Sequence, residues 1–154
     1  MLLKAEVALS GGLTVLAART ADQGLILARA GGLYLYVGEL LRVRAQALMQ
    51  SVDYVGDPID EAELALSEAI TLSVRQGTRV FAMRAAVALL RHGEDGSLTV
   101  GRLPARPAAV QAHAVLRQLL TELAALTTRD NRRDSAEITE ARSMIATAAT
   151  ALVH

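Results

Sequence analysis

The chain contains no cysteine. Without thiols, a disulfide framework, a thiolate metal site and a cysteine nucleophile are all excluded. Aromatic residues are scarce at 3%. Charge of one sign is not in excess either: sixteen basic and sixteen acidic residues give a formal net charge of zero. That argues against a nucleic-acid partner, because displacing phosphate counterions needs net or clustered positive charge. Long apolar runs are also missing. The longest charge-free stretches, about a dozen residues at Val7–Ala18 and Ser143–His154, fall short of the roughly 20 that span a bilayer. Glu6 stands where a signal peptide would have its apolar core. These absences lead to the expectation of a cytoplasmic chain with no membrane partner.

Catalytic signatures are absent as well. There is no GxxxxGK[ST] phosphate loop, no GxSxG elbow and no HExxH helix. The glycine pairs at 11–12 and 31–32 lie in no GxGxxG and read as helix breaks. His92, His113 and His154 have no second histidine within metal-ligand spacing. His92 reads as a helix C-terminal cation, and His113 lies beside a packing seam. Asp57, Asp60, Glu61 and Glu63 cluster in what reads as the first turn of a helix, where the helix dipole favours them. Glu137 and Glu140 form a second acidic pair with no sign of a pocket. Arg129, Arg132 and Arg133 alternate with Asp130 and Asp134, a charge-balanced turn. The expectation is a protein that is not an enzyme, with no catalytic residue, no cofactor and no metal site.

What the chain does have is aliphatic bulk. It is 52% hydrophobic over 154 residues, enough for one domain with a real core. Alanine supplies much of that fraction, and alanine is the strongest helix former. Residues 2–30 read as helix, bent or broken near Gly11-Gly12 and again near Asp22–Gly24. A short strand at Leu13–Leu16 is the alternative there. Gly31-Gly32 punctuates the chain. Leu33–Ser51 then reads as one long helix with Tyr36, Leu40, Val43 and Ala47 on its buried stripe, thickened by Leu33, Val37, Leu41 and Leu48. Glu39, Arg42 and Arg44 fall largely outside that stripe. Asp57-Pro58 opens a helix that runs to Gln76 with Leu66, Ala69, Ile70 and Ser73 on one face. After a Gly77 turn, a partner helix covers Arg79–Arg91, with Val80, Met83, Val87 and Leu90 inward. Residues 94–107 read as loop. Ala108–Thr127 carries a regular seam at Ala112, Leu116, Leu119, Leu123 and Leu126. Asp134 and Glu137 form a capping box for a last helix with Ile138, Ala141, Ile145, Ala148 and Leu152 inward.

A period of about 45 residues emerges when Gly32 is placed on Gly77. Leu25 then meets Ile70, Ala28 meets Ser73, Tyr36 meets Phe81, Leu40 meets Ala85, and Glu39 meets Arg84. Each copy is helix, glycine turn, helix. Stacked helix pairs bury a continuous core, the logic of an α-solenoid. The residues Glu61-Ala62-Glu63, Arg75-Gln76-Gly77 and Met83-Arg84-Ala85-Ala86 resemble the C-terminal tetratricopeptide-like helical repeats of large bacterial ATPase-type signalling and transcriptional regulators. Gly32, Tyr36, Glu39-Leu40 and Arg42-Val43-Arg44 sit at the spacing of the preceding repeat, and Glu140-Ala141-Arg142 echoes the closing helix. Gly38 stands where that family has alanine. The resemblance implies an all-α fold of antiparallel helix pairs, about five to six helices, with repeat-like units at 21–51 and 58–93 and a terminal helix pair at 108–153. The nucleotide-binding parts of such regulators are missing, so no nucleotide chemistry carries over.

The remaining candidate feature is a group of arginines and tyrosines. Tyr34, Tyr36, Glu39, Arg42, Arg44 and Arg84 lie on the second helices of the two units or at their starts. They form the candidate interaction surface. Glu39 and Arg84, being equivalent positions, read either as a structural ion pair or as the edge of that surface. The expected function is a non-catalytic helical-repeat module for protein–protein interaction or regulation. Its partner would be another protein or a second copy in a homodimer. The alternative is a helical sensor or oligomerisation domain that holds a small molecule among the helices, with Tyr34, Tyr36 or Arg42 as polar anchors.

Overall fold

Apolar residues at helical spacing become helix throughout the computed structural model, which describes residues 1–51, 58–92 and 107–127 with positions 139 and 143. The fold is all-α, and no strand occurs among the described residues. The helices are α1 (Leu2–Ser10), α2 (Thr14–Ala30), α3 (Val37–Met49), α4 (Pro58–Arg75), α5 (Arg79–His92) and α6 (Pro107–Thr127). A 3-10 turn at Tyr34–Tyr36 leads into α3. The expected loop at 94–107 lies outside the described residues, apart from Pro107. So does the expected last helix, except that Thr139 and Ser143 are helical.

Three connections share one construction. Gly12, Gly32 and Gly77 take positive φ of 72°, 69° and 69°, where a Cβ would be strained. The next residue's amide then donates back across the helix end. Leu13 N reaches Ala8 O at 2.9 Å, Leu33 N reaches Ala28 O at 2.8 Å, and Thr78 N reaches Ser73 O at 2.9 Å. This is a Schellman-type closure, which satisfies carbonyls that the helix leaves open. Such tight turns return the chain on itself, so α1–α2, α2–α3 and α4–α5 are hairpins. Each helix packs on its neighbour in sequence. In addition, α1, α3 and α5 lie side by side, and α4 also touches α6.

The core is aliphatic. Leu66, Ile70, Leu116 and Val43 are among the largest wholly buried side chains, and Ala17, Ala21, Ala45, Ala69, Ala85 and Ala112 are buried completely. These small residues let backbones approach. Gly38 on α3 takes this furthest: a Cβ there would lie 2.5 Å from Ser73 Oγ and 3.4 Å from Ala69 O on α4. Glycine at this position therefore has a steric reason.

The structure corrects several expectations. The helix is not interrupted at Asp22–Gly24: α2 runs through, and Gly24 is buried against Leu40, whose Cδ2 would be 2.8 Å from a Cβ. Glycine there serves close packing. Residues 14–16 are helix, with no strand. Leu33, Tyr36 and Val80 were placed on buried stripes but are exposed. They sit at the turns, and the 3-10 geometry of 34–36 departs from the phase of the helix that follows. Glu39 and Arg42 were placed outside the stripe but are buried. Helix α3 is covered by α1, α2, α4 and α5, so the run from Val37 to Val43 has no solvent face.

Candidate functional site

Because α1, α3 and α5 pack side by side, charged residues on their facing sides converge. Glu39 Oε2 accepts from Arg42 Nη2 at 2.9 Å, from Arg42 Nε at 3.1 Å and from Arg84 Nη1 at 2.9 Å. Glu6 of α1 reaches the same two guanidiniums. It bonds Arg42 Nη2, and its Oε1 lies 3.4 Å from Arg84 Nη2. Gln46 Oε1 accepts from Arg42 Nη1. The Glu39 side chain is 1% exposed and that of Arg42 7%, while Arg84 and Glu6 reach the surface at about a third exposed. Two carboxylates and two guanidiniums thus neutralise one another inside a helix layer. Glu39 Oε1 is buried and meets no donor among the described residues.

A cluster of this kind has limited net stabilising power, since desolvating the ions offsets most of their attraction. What it does impose is register. Sliding α5 by one turn relative to α3 would leave Glu39 buried without Arg84. Glu39 and Arg84, matched in the 45-residue comparison, pair directly at 2.9 Å.

Arg44 points elsewhere. Its Nε donates to Asp22 Oδ1 on α2 at 2.7 Å and its Nη2 to Glu61 on α4. Burial alone would lower the pKa of this guanidinium, but the hydrogen bonds to Glu61 and Asp22 outweigh it and hold the group above its ordinary value. Tyr34 and Tyr36 are exposed at the α2–α3 turn and join neither cluster. The six candidate residues are therefore divided among three places: a buried ion cluster, an α2–α3–α4 bridge and an exposed turn. Glu6, Gln46, Asp22 and Glu61 complete these arrangements. Glu6 belongs to α1, a helix outside the 45-residue pairing, so the repeat gave no signal for it.

Beside Arg44 an open groove of about 450 Å³ runs between α2 and α4. Leu25, Leu41 and Ala65 line it, Ile26 and Leu64 stand exposed at its edges, and Arg29 meets Glu68 across it at 3.2 Å. Tyr34, Tyr36 and Arg42, the anchors expected for a small molecule, are not among its lining residues. Among the described residues, no group of three His, Asp or Glu side chains is arranged to hold a metal ion, and no helix is long and apolar enough to cross a membrane. Comparison with family models, with curated proteins and with solved structures gave no match.

Proposed function

We propose that the chain is a non-catalytic helical-repeat module that binds another protein, of the kind that ends large bacterial ATPase-type regulators. The observation that carries this reading is the Glu39–Arg84 ion pair, 2.9 Å long between positions 45 residues apart. It joins equivalent helices of two successive helix-turn-helix units, as stacking of repeats requires. The charged side chains of the buried cluster are engaged with one another, which leaves surface, rather than a polar pocket, as the working part.

The α2–α4 groove is the face that this reading assigns to the partner. Its apolar floor, exposed Ile26 and Leu64 edges and rim charges of both signs suit the apolar side of an amphipathic helix. The test combines light scattering with affinity capture from the native cytoplasm. Wild type is compared with the double variant Ile26→Glu, Leu64→Glu. Retention of one stoichiometric protein by wild type and its loss from the variant is the expected result. Identical capture by both chains would refute the groove, and a monomer that retains nothing would refute the interaction reading itself.

A further inference from the structure

Leu33, Tyr34, Leu35 and Tyr36 are consecutive, and all four are between 45% and 57% exposed. A run of four exposed large apolar residues has no place on an idle surface. The turn that carries them is braced. Gly32 sets its left-handed start, the 3-10 turn fixes residues 34–36, and Gln76 Nε2 donates to Tyr34 O at 3.0 Å. That last bond places the α4–α5 turn, with exposed Val80, beside it. Together the two turns form one end of the helix stack.

The chain segments that build this end carry cations and no carboxylate of their own. Residues 23–38 and 69–93 contain no aspartate or glutamate. Three arginines stand at the helix ends concerned: Arg29 in the last turn of α2, Arg75 at the end of α4 and Arg79 at the start of α5. Arg29 and Arg79 each hold one carboxylate from outside these stretches, Glu68 at 3.2 Å and Glu122 at 2.7 Å, and both arginine side chains stay more than half exposed. A guanidinium has five N–H donors, so one partner leaves others free to meet an oxyanion.

These features select among occupants. A small ligand needs a concave site, and the groove beside α2 includes none of the four turn residues. A two-fold contact between copies would set this patch against itself and bring its arginines face to face. An anionic interface meets both requirements. Leucine buries at the boundary of headgroups and acyl chains, tyrosine places its ring there with its hydroxyl in water, and arginine faces phosphate. We propose that the Leu33–Tyr36 turn, with Arg29, Arg75 and Arg79, is a docking site for an anionic phospholipid surface. That no described helix is long and apolar enough to cross a membrane does not bear on lying against a bilayer. This site adjoins the groove assigned to a protein partner, sharing Arg29 with it, but its apolar turn lies outside that groove.

The test is flotation of the full chain with vesicles of phosphatidylcholine alone and of phosphatidylcholine mixed with phosphatidylserine. Wild type floats with the mixed vesicles, less so as salt is raised, and remains below with phosphatidylcholine alone. Arg75→Gln weakens binding about fivefold, the effect of one cation at such a surface. Tyr34→Ser with Tyr36→Ser abolishes it, while Val15→Ser, on an exposed position elsewhere on α2, leaves it unchanged. Circular dichroism shows the same fold for all of them, because the altered side chains are at the surface. Three results would overturn the proposal: no flotation with the mixed vesicles, equal flotation with phosphatidylcholine alone, or flotation indifferent to the tyrosine changes. Self-association of wild type in light scattering that disappears in the tyrosine variant would instead assign the turn to a second copy.

Discussion

Gly38→Ala tests how closely α3 and α4 are packed. Two opposed effects act at this site. Alanine in place of glycine favours helix by about 0.5–1 kcal/mol. The added methyl, however, would lie 2.5 Å from Ser73 Oγ, well inside contact distance, and overpacking of that kind costs about 1–3 kcal/mol. The single variant should therefore lose up to about 2.5 kcal/mol. Ser73→Ala removes the obstructing atom, leaving Ala69 O at 3.4 Å and the Cβ of residue 73 at 3.9 Å as nearest neighbours. It also removes a buried hydroxyl that has no hydrogen-bond partner, a change that is close to neutral or stabilising. In that background Gly38→Ala keeps only the helix gain and stabilises by about 0.5–1 kcal/mol. The double-mutant cycle should thus show coupling of about 1–3 kcal/mol. Urea unfolding followed by circular dichroism measures it, as shifts in midpoint at constant slope. Additive effects would refute the reasoning: they would mean that Ser73 turns away without cost and that the helices are not held at the distance seen.

Two further outcomes can be checked by the same unfolding measurement. Glu39→Ala takes from the buried Arg42 its one fully buried carboxylate, leaving Glu6 and Gln46, and should cost up to about 3–5 kcal/mol, whereas Arg29→Ala, which removes only the exposed pair with Glu68, should cost less than about 1 kcal/mol. Equal costs would show that Glu39 is not desolvated in solution. Arg44 has its pKa raised by Glu61 and Asp22 over the opposing effect of burial, so its contribution is fully present below arginine's unfolded value and is lost only as pH climbs through the folded one. The stability difference between wild type and Arg44→Leu should accordingly stay constant from neutral to mildly alkaline pH, and a drift over that range would contradict the pairing.

From α3 onward the described helices were legible because each carries an apolar period, whereas α2 left a strand at Leu13–Leu16 and a break at Asp22–Gly24 open. α4, with Leu66, Ala69, Ile70 and Ser73 inward, is the clearest case, and the Gly77 turn followed from residue type. The Glu39–Arg84 pair was within reach for a different reason: the 45-residue comparison matched the two positions, and an ion pair was one of its two readings. The burial of Glu39 and Arg42 was not. Amphipathic pattern assumes a solvent face, and α3 has none because α1 covers the side that the pattern would give to water. Gly24 misled in the same way, since a glycine that admits Leu40 looks like a helix breaker in sequence. Tyr36 and Leu33 share the apolar period of α3 but precede its first turn, where the period no longer says what is covered. Glu6 was invisible as a partner, because no regularity in the chain connects it with Arg42 or Arg84.

Most contacts among the described helices join neighbours in sequence, which favours rapid folding. The link from Glu6 to Arg84 reaches across that order, spanning 78 positions. It ties α1 to α5, whose Arg84 completes the pair of guanidiniums around the Glu6 carboxylate. Amide exchange in Leu2–Ser10 should then report on the arrival of Arg79–His92. A chain cut before Arg79 would keep its turns and much of its helix yet leave the N-terminal segment loosely held. Glu6 in this way adds a direct tie between α1 and α5 to a stack already joined through α3.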